Sequence, residues 1–181
     1  MFKMLNEVKK CRRAGAQIIA MNLHVGGQYN IMPETYTKWV ANKLVRAGAD
    51  IVAACHEHVI HPIVTYKNNS ICAMSLGNFI YHSDSESLPI KAVRNLKAEY
   101  SIMLNVDIDK INNKVKIQKV SFSIFKNHIV DGLARVIPIE EIERIKLIKS
   151  TQLQKDVNYI VKKVTGLDAE FKISKEYIIN D

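Results

Sequence analysis

Apolar residues recur along this chain with two periods, and the switches between those periods mark its elements. Residues near Leu5 to Ala14 show helical spacing, with Leu5 and Val8 on one face and Glu7, Lys9, Lys10 and Arg12 elsewhere. Gly15 is a natural stop. Gln17 to Leu23 is short and almost continuously apolar, the pattern of a strand buried on both faces. A glycine-bearing loop, His24-Val25-Gly26-Gly27-Gln28-Tyr29, follows it. Pro33 suits the first position of a helix, where its missing N–H costs nothing. From there Tyr36, Trp39, Val40, Leu44 and Ala47 recur at three- and four-residue spacing up to Gly48. Ile51 to Cys55 is the second strand. Strand, helix, strand predicts a parallel, right-handed βαβ unit.

The period then changes. Ile63 to Tyr66 and Ile71 to Met74 flank Lys67-Asn68-Asn69-Ser70, where asparagine tolerates positive φ, so a hairpin is expected. Ser75-Leu76-Gly77-Asn78-Phe79 closes it, and the polar stretch Asp84 to Asn95 reads as a loop. Two long strands come next, Tyr100 to Ile108 and Lys114 to Phe125, with the turn at Asp109 to Asn113. The second alternates, so one of its faces is expected to meet solvent. A short strand near Arg135 to Ile137 precedes two amphipathic helices, Glu140 to Lys149 and about Leu153 to Val164. Thr165 to Asp181 carries no motif. The fold class is α/β, with α+β as the alternative. Residues 1–138 form the main body and 139–181 a helical C-terminal extension packing on it.

Composition adds little to this picture. The 181 residues suffice for one domain with a substantial core, and 48% hydrophobic with 24% charged residues argues against disorder. The net charge of +8 favours acidic partners, but the lysines are spread along the chain as on a solvated face. The three cysteines show no CxxC spacing, and their odd number argues against a disulfide framework. Neither a membrane-spanning run nor a signal peptide is apparent. The chain starts within a helical pattern, so it is expected to lack its beginning. A nucleic-acid module is disfavoured, because no groove-reading helix or aromatic platform is apparent.

Chemistry concentrates where the first two strands end. A parallel βαβ unit places His24 and His56 at the same carboxyl edge, where open α/β sheets bind their ligands. On an extended segment residues two apart face one side, so His56 and His58 are expected to point together. Neutral imidazoles are the commonest ligands for zinc, manganese or iron centres, and three at one edge suit a metal, or a metal plus a general acid. Asn78, in a tight loop after a strand, binds substrate, orients a water or caps its own turn. His61, His82 and His128 read as ordinary residues. Cys55 is expected to face away from His56, which argues against a thiol–imidazole pair of those two. There is no phosphate loop and no nucleophile elbow.

Five ordered blocks then carry a resemblance: Ala14-Gly15-Ala16-Gln17-Ile18-Ile19, His24-Val25-Gly26-Gly27-Gln28-Tyr29, Ala47-Gly48-Ala49-Asp50-Ile51-Val52, His56-Glu57-His58-Val59 and Ser75-Leu76-Gly77-Asn78-Phe79. Together they resemble bacterial capsule-synthesis proteins of the CapA type, the poly-gamma-glutamate synthesis family, over residues 14 to 79. That family is similar to the calcineurin-like metallophosphoesterases, whose fold is a β-sandwich flanked by helices. The resemblance implies metal ligation by His24, His56 and His58, catalytic roles for His58 and Asn78, and divalent Mn, Zn, Fe or Mg as cofactor. It implies a metal-assisted hydrolase acting on an anionic capsule or poly-gamma-glutamate polymer outside the cytoplasmic membrane. Its alternative is a truncated or degenerate, non-catalytic member that binds or assembles. The chain departs from the family at Val25, usually tryptophan, at Gln28, usually glutamate, and at Glu57, usually proline. It also lacks the family's N-terminal half, which the resemblance makes an expected partner.

Overall fold

The computed structural model describes residues 1–80 and 96–180. His82 and the loop expected over 84–95 lie outside the described residues. The first half runs α1 (Phe2–Arg13), β1 (Ala20–His24), α2 (Thr35–Ala47), β2 (Ile51–Cys55), β3 (Ile63–Thr65) and β4 (Ile71–Ala73). The second runs β5 (Tyr100–Ile111), β6 (Lys114–Val130), β7 (Leu133–Pro138), α3 (Ile139–Arg144), α4 (Ser150–Thr165) and β8 (Tyr177–Asn180). Helices and strands alternate in the first half and share sheets throughout, an α/β fold. No helix among the described residues is long and apolar enough to cross a membrane.

The first sheet has the order β1-β2-β4-β3, with β1, β2 and β4 parallel and β3 antiparallel to β4. The βαβ unit is therefore present as its periodicity predicts. Gly48 ends α2 in the left-handed region (φ 111°) and caps Leu44 and Val45, a conformation that glycine adopts without steric cost. The first strand differs from expectation at both ends. Asp50 accepts the Ile19 amide on its carboxylate at 2.7 Å, and the Asp50 and Ile51 amides both donate to the Ile19 carbonyl. Ile19 is thus held by a turn, and the ladder starts at Ala20. Nor is β1 buried on both faces, because it lies at the sheet edge: only Leu23 is buried, while Ala20, Asn22 and His24 are exposed.

Arg12 clamps this corner. Its guanidinium donates to the Ala16, Gln17 and Gly48 carbonyls and pairs with Asp50 at 2.6 Å. It joins the end of α1 to the loops leading into β1 and β2. Val8, Leu23, Val40, Leu44, Val52 and Ala54 form the core on this face of the sheet. Each such large aliphatic contributes roughly 1.5–3 kcal/mol on burial.

The second sheet is built on the β5–β6 hairpin. Its turn is Asn112-Asn113, both at positive φ (51° and 61°), so the strands run closer to the turn than expected. The apolar alternation of β6 changes phase between Val115, Ile117 and Val120, Phe122, Ile124. That change of phase is a bulge, since Asp107 pairs with Lys119 and Ile108 with Ile117. Beyond Phe125 the strand continues to Val130 and turns at Asp131-Gly132 into β7. The helix expected over 140–149 stops at Arg144, with Lys146 at φ 53°. Within the stretch that carried no motif, β8 returns to pair with β6. The α4 residues Leu153, Val157, Ile160, Val161 and Val164 pack into one core with Tyr100, Phe122, Ile124, Ile71 and Ala73. Buried Asp156 accepts from Lys97, Gln152 and the Tyr100 hydroxyl, fastening α4 to β5.

Gly77 joins the two sheets. It bridges to Ser101, and the Ile102 amide donates to the Leu76 carbonyl at 2.9 Å. Gly77 has φ 76°, and a Cβ there would lie 2.7 Å from the Tyr100 carbonyl oxygen. Gly77→Ala is expected to cost about 2 kcal/mol or more, through strain and overlap together. Urea unfolding measures it; a loss near zero contradicts this account of the junction.

Candidate functional site

The parallel register places His24 opposite Cys55, so β1 and β2 end together. Past the strands, the Val25 amide donates to the Cys55 carbonyl and the Tyr29 amide to the Glu57 carbonyl, tying the two exit loops side by side. The rings of His24 and His56 meet there, Nε2 to Nδ1 at 2.8 Å with centroids 4.5 Å apart. The His58 ring is 6.1 Å from that of His56. The three histidines are therefore neighbours, though not by strand alternation. The strand stops at Cys55, and His56 (φ 129°) and His58 (φ 60°) both occupy positive-φ backbone. Two such non-glycine residues in three concentrate strain at this edge.

A buried pair holds the bend in place. Glu57, between the two histidines, points inward and contacts His61; both side chains are fully buried. Their protons follow from their partners. His61 Nε2 lies 2.8 Å from the Asn30 carbonyl, which only accepts, so Nε2 carries hydrogen. A neutral His61 then has its lone pair at Nδ1, the atom that Glu57 Oε2 contacts, which suits a protonated carboxyl. Burial drives both groups to this neutral state. It pushes the Glu57 carboxyl up to about 7, against a hydrogen bond from Thr37, and pulls His61 down to about 4, against the Asn30 carbonyl. Gly26, at φ 116°, lies against this pair, and a Cβ on it would sit 2.1 Å from Glu57 Oε1. His61 is thus a core histidine, as expected, and its contacts lie beneath the site.

Asn78 addresses His58. Its amide nitrogen donates to the His58 and Ala98 carbonyls at 3.1 and 3.0 Å, which turns its oxygen toward His58 Nδ1 at 2.7 Å. An amide oxygen only accepts, so His58 carries hydrogen on Nδ1 and, when neutral, leaves Nε2 as its unprotonated nitrogen. Asn78 therefore positions a histidine from a buried site. Asn127 of β6 in turn donates to the Asn78 carbonyl at 2.6 Å, and Tyr29 stacks on the His58 ring with centroids 5.2 Å apart. Sequence reasoning missed Asn127 and Tyr29. Only the proximity of Tyr29 to the glycine loop offered a signal, and Asn127 had none. Cys55 is exposed, with Sγ 3.5 Å from His24 Nδ1, so its neighbour is the histidine across the ladder and not His56. Buried Cys72, its thiol pushed up to about 12 by burial, is inert.

The His24 and His56 rings are hydrogen-bonded to each other, one nitrogen donating to the other. Glu57 cannot join them, being inward and paired. Among the described residues no group of three or more His, Cys, Asp or Glu could hold a metal ion. Behind the histidines an apolar groove of about 670 Å³ opens between β2 and β5, lined by Ile51, Ala53, Cys55, Phe79, Leu104 and Val106 among others.

Residues 2–83 match the family model of the bacterial capsule synthesis protein PGA_cap. Capsule biosynthesis protein CapA of Bacillus anthracis is 32% identical over 81 residues, 45% of this chain and 20% of that protein. PGA biosynthesis protein CapA of Bacillus subtilis (strain 168) is 36% identical over 78 residues, 43% of this chain and 19% of that protein. The matched part spans about a fifth of the length of these relatives. It contains His24, His56, His58 and Asn78; β5 to β8, α3 and α4 fall outside it.

The buried pair makes a prediction. A glutamine amide donates to His61 Nδ1 as a protonated carboxyl would, so Glu57→Gln should match the parent protein below about pH 4.5. The folded-state pKa of Glu57 is raised, so its contribution is complete below the unfolded value and is lost as pH rises through about 7. Glu57→Gln should therefore gain on the parent by on the order of 1–3 kcal/mol between those limits. Thermal unfolding across that range tests it, and a pH-independent difference contradicts the proton assignment.

Proposed function

For a chain whose residues 2–83 carry a CapA-type capsule-synthesis segment, we propose that the three histidines form one rim of a metal-assisted, metallophosphatase-like hydrolase site. Its role would lie in making or processing an anionic capsule polymer such as poly-gamma-glutamate. The observation that carries this reading is the convergence of His24 Nε2 and His56 Nδ1 at the carboxyl ends of two parallel strands, beside a His58 whose tautomer Asn78 sets. His24 and His56 would hold a divalent Mn, Zn, Fe or Mg ion. Such an ion supplies Lewis acidity that polarises a phosphoryl or carbonyl group.

The remaining steps belong to the protein. His58 presents Nε2 as a proton acceptor when neutral and as a donor once protonated, with Asn78 and Tyr29 holding the ring in one orientation. Gln28, which cannot ionise, contributes no anionic ligand or base. The further donors would come from polypeptide that adds to the open edge of β1 and covers the apolar groove, consistent with parallel sheets being covered on both faces. The net charge of +8 suits a polyanionic substrate.

A second reading, a non-catalytic binding or assembly component, is favoured because no group of three or more His, Cys, Asp or Glu among the described residues could hold a metal ion. Calorimetric titration of the chain with zinc or manganese separates the two. The enzymatic reading expects uptake that falls at least tenfold in His24→Ala and in His56→Ala, together with a metal-dependent rise in Tm that both variants lose. If the parent binds neither ion and its Tm does not move, the non-catalytic reading stands.

A further inference from the structure

The outer face of α2 and the loop before it carry apolar side chains that the molecule does not use. Ile31 is 59% exposed, Met32 58%, Tyr36 56% and Trp39 46%. Helix amphipathicity does not require this, since α2 already buries Thr37, Val40, Ala41, Leu44 and Val45 on its other side. Tyr36 stacks on Trp39 with centroids 5.9 Å apart, and Lys43 lies 5.9 Å over the tryptophan ring. Met32, Pro33, Lys38 and Asn42 line a shallow hollow beside them. The helix carries Lys38, Lys43 and Arg46, all exposed, and no acidic residue.

We propose that this face, Ile31, Met32, Tyr36 and Trp39 with Lys38, Lys43 and Arg46, docks the protein on an anionic lipid surface. Aromatic rings seat at the boundary between headgroup and hydrocarbon, and apolar residues at the loop tip enter just below it. Lysines and arginines around them pair with acidic headgroups. Charge complementarity selects the lipid: the face carries three exposed cations against one carboxylate, Glu34, which accepts a hydrogen bond from Asn30, and this excess fits an anionic surface, whereas a hydrophilic polyanion would leave Ile31 and Met32 without a role. The patch also leads into the histidine site. Tyr29 and Asn30, immediately before it, contact the His58 ring and His61. A docked protein would therefore carry its site close to the surface. This inference does not depend on the metal chemistry proposed above.

Trp39 is the single tryptophan, so its emission reports the patch directly. The chain should co-sediment with phosphatidylcholine vesicles containing about a quarter phosphatidylglycerol, with a blue shift of Trp39 emission, and hardly at all with phosphatidylcholine alone. Raised salt should weaken the binding. Lys38→Glu/Lys43→Glu should reduce partitioning at least about tenfold, as should Met32→Ser/Trp39→Ser, with circular dichroism unchanged because all four side chains are exposed. Three results overturn the proposal: no partitioning, partitioning that leaves Trp39 emission unmoved, or partitioning that both double variants retain. A blue shift that depends on protein concentration without lipid also overturns it, in favour of a second copy as the occupant.

Discussion

The site rests on the contact between two buried side chains, Glu57 and His61. The two are packed against each other without solvent, and burial favours the uncharged form of each. That pair draws three segments together. Asn30 in the glycine loop accepts from His61, Thr37 in α2 reaches Glu57, and Gly26 leaves the space the carboxyl occupies. With Glu57 pulled inward, the residues on either side of it are turned outward. The positive φ angles of His56 and His58 are the local strain of that turn, and the buried contacts around Glu57 offset it.

A second constraint comes from the other half of the chain. His58 depends on Asn78, Asn78 on the tight Gly77 junction with β5, and its carbonyl on Asn127 from β6. The β5–β6 hairpin is in turn fastened to α4 through Asp156 and the core around Tyr100. The matched segment ends near residue 83, yet the orientation of one of its histidines is completed by residues beyond it. This is a physical reason for the two halves to act as one unit at this edge.

Much of the first sheet could be read from the chain, because each of its signals is local. Gly48 ends α2, which starts at Thr35, two residues after the expected Pro33, with Glu34 as its N-cap, and the two apolar runs on either side are its parallel strands. That reading was enough to bring His24 and His56 to one edge. It placed the His56 and His58 rings on one side for the wrong reason, since alternation presumes a strand that in fact ends at Cys55. The second sheet was less legible. The phase change in β6 was visible at Gln118 but has meaning only once Lys119 is seen opposite Asp107. Tyr177 to Asn180 is too short to announce itself and is a strand only because β6 offers it an edge.

Periodicity, glycine positions and the order of motifs, then, determined the class of fold, the parallel unit and which histidines share an edge. All of these follow from interactions within a few residues of one another. Tertiary structure alone decided the rest. It exposed β1 at the sheet edge, made Glu57 and His61 a neutral buried pair, made Asn78 a support for His58, and recruited Asn127 and Tyr29. Each of these depends on which groups lose water together and which acceptor stands within hydrogen-bonding reach. A linear pattern of residue types does not contain that information.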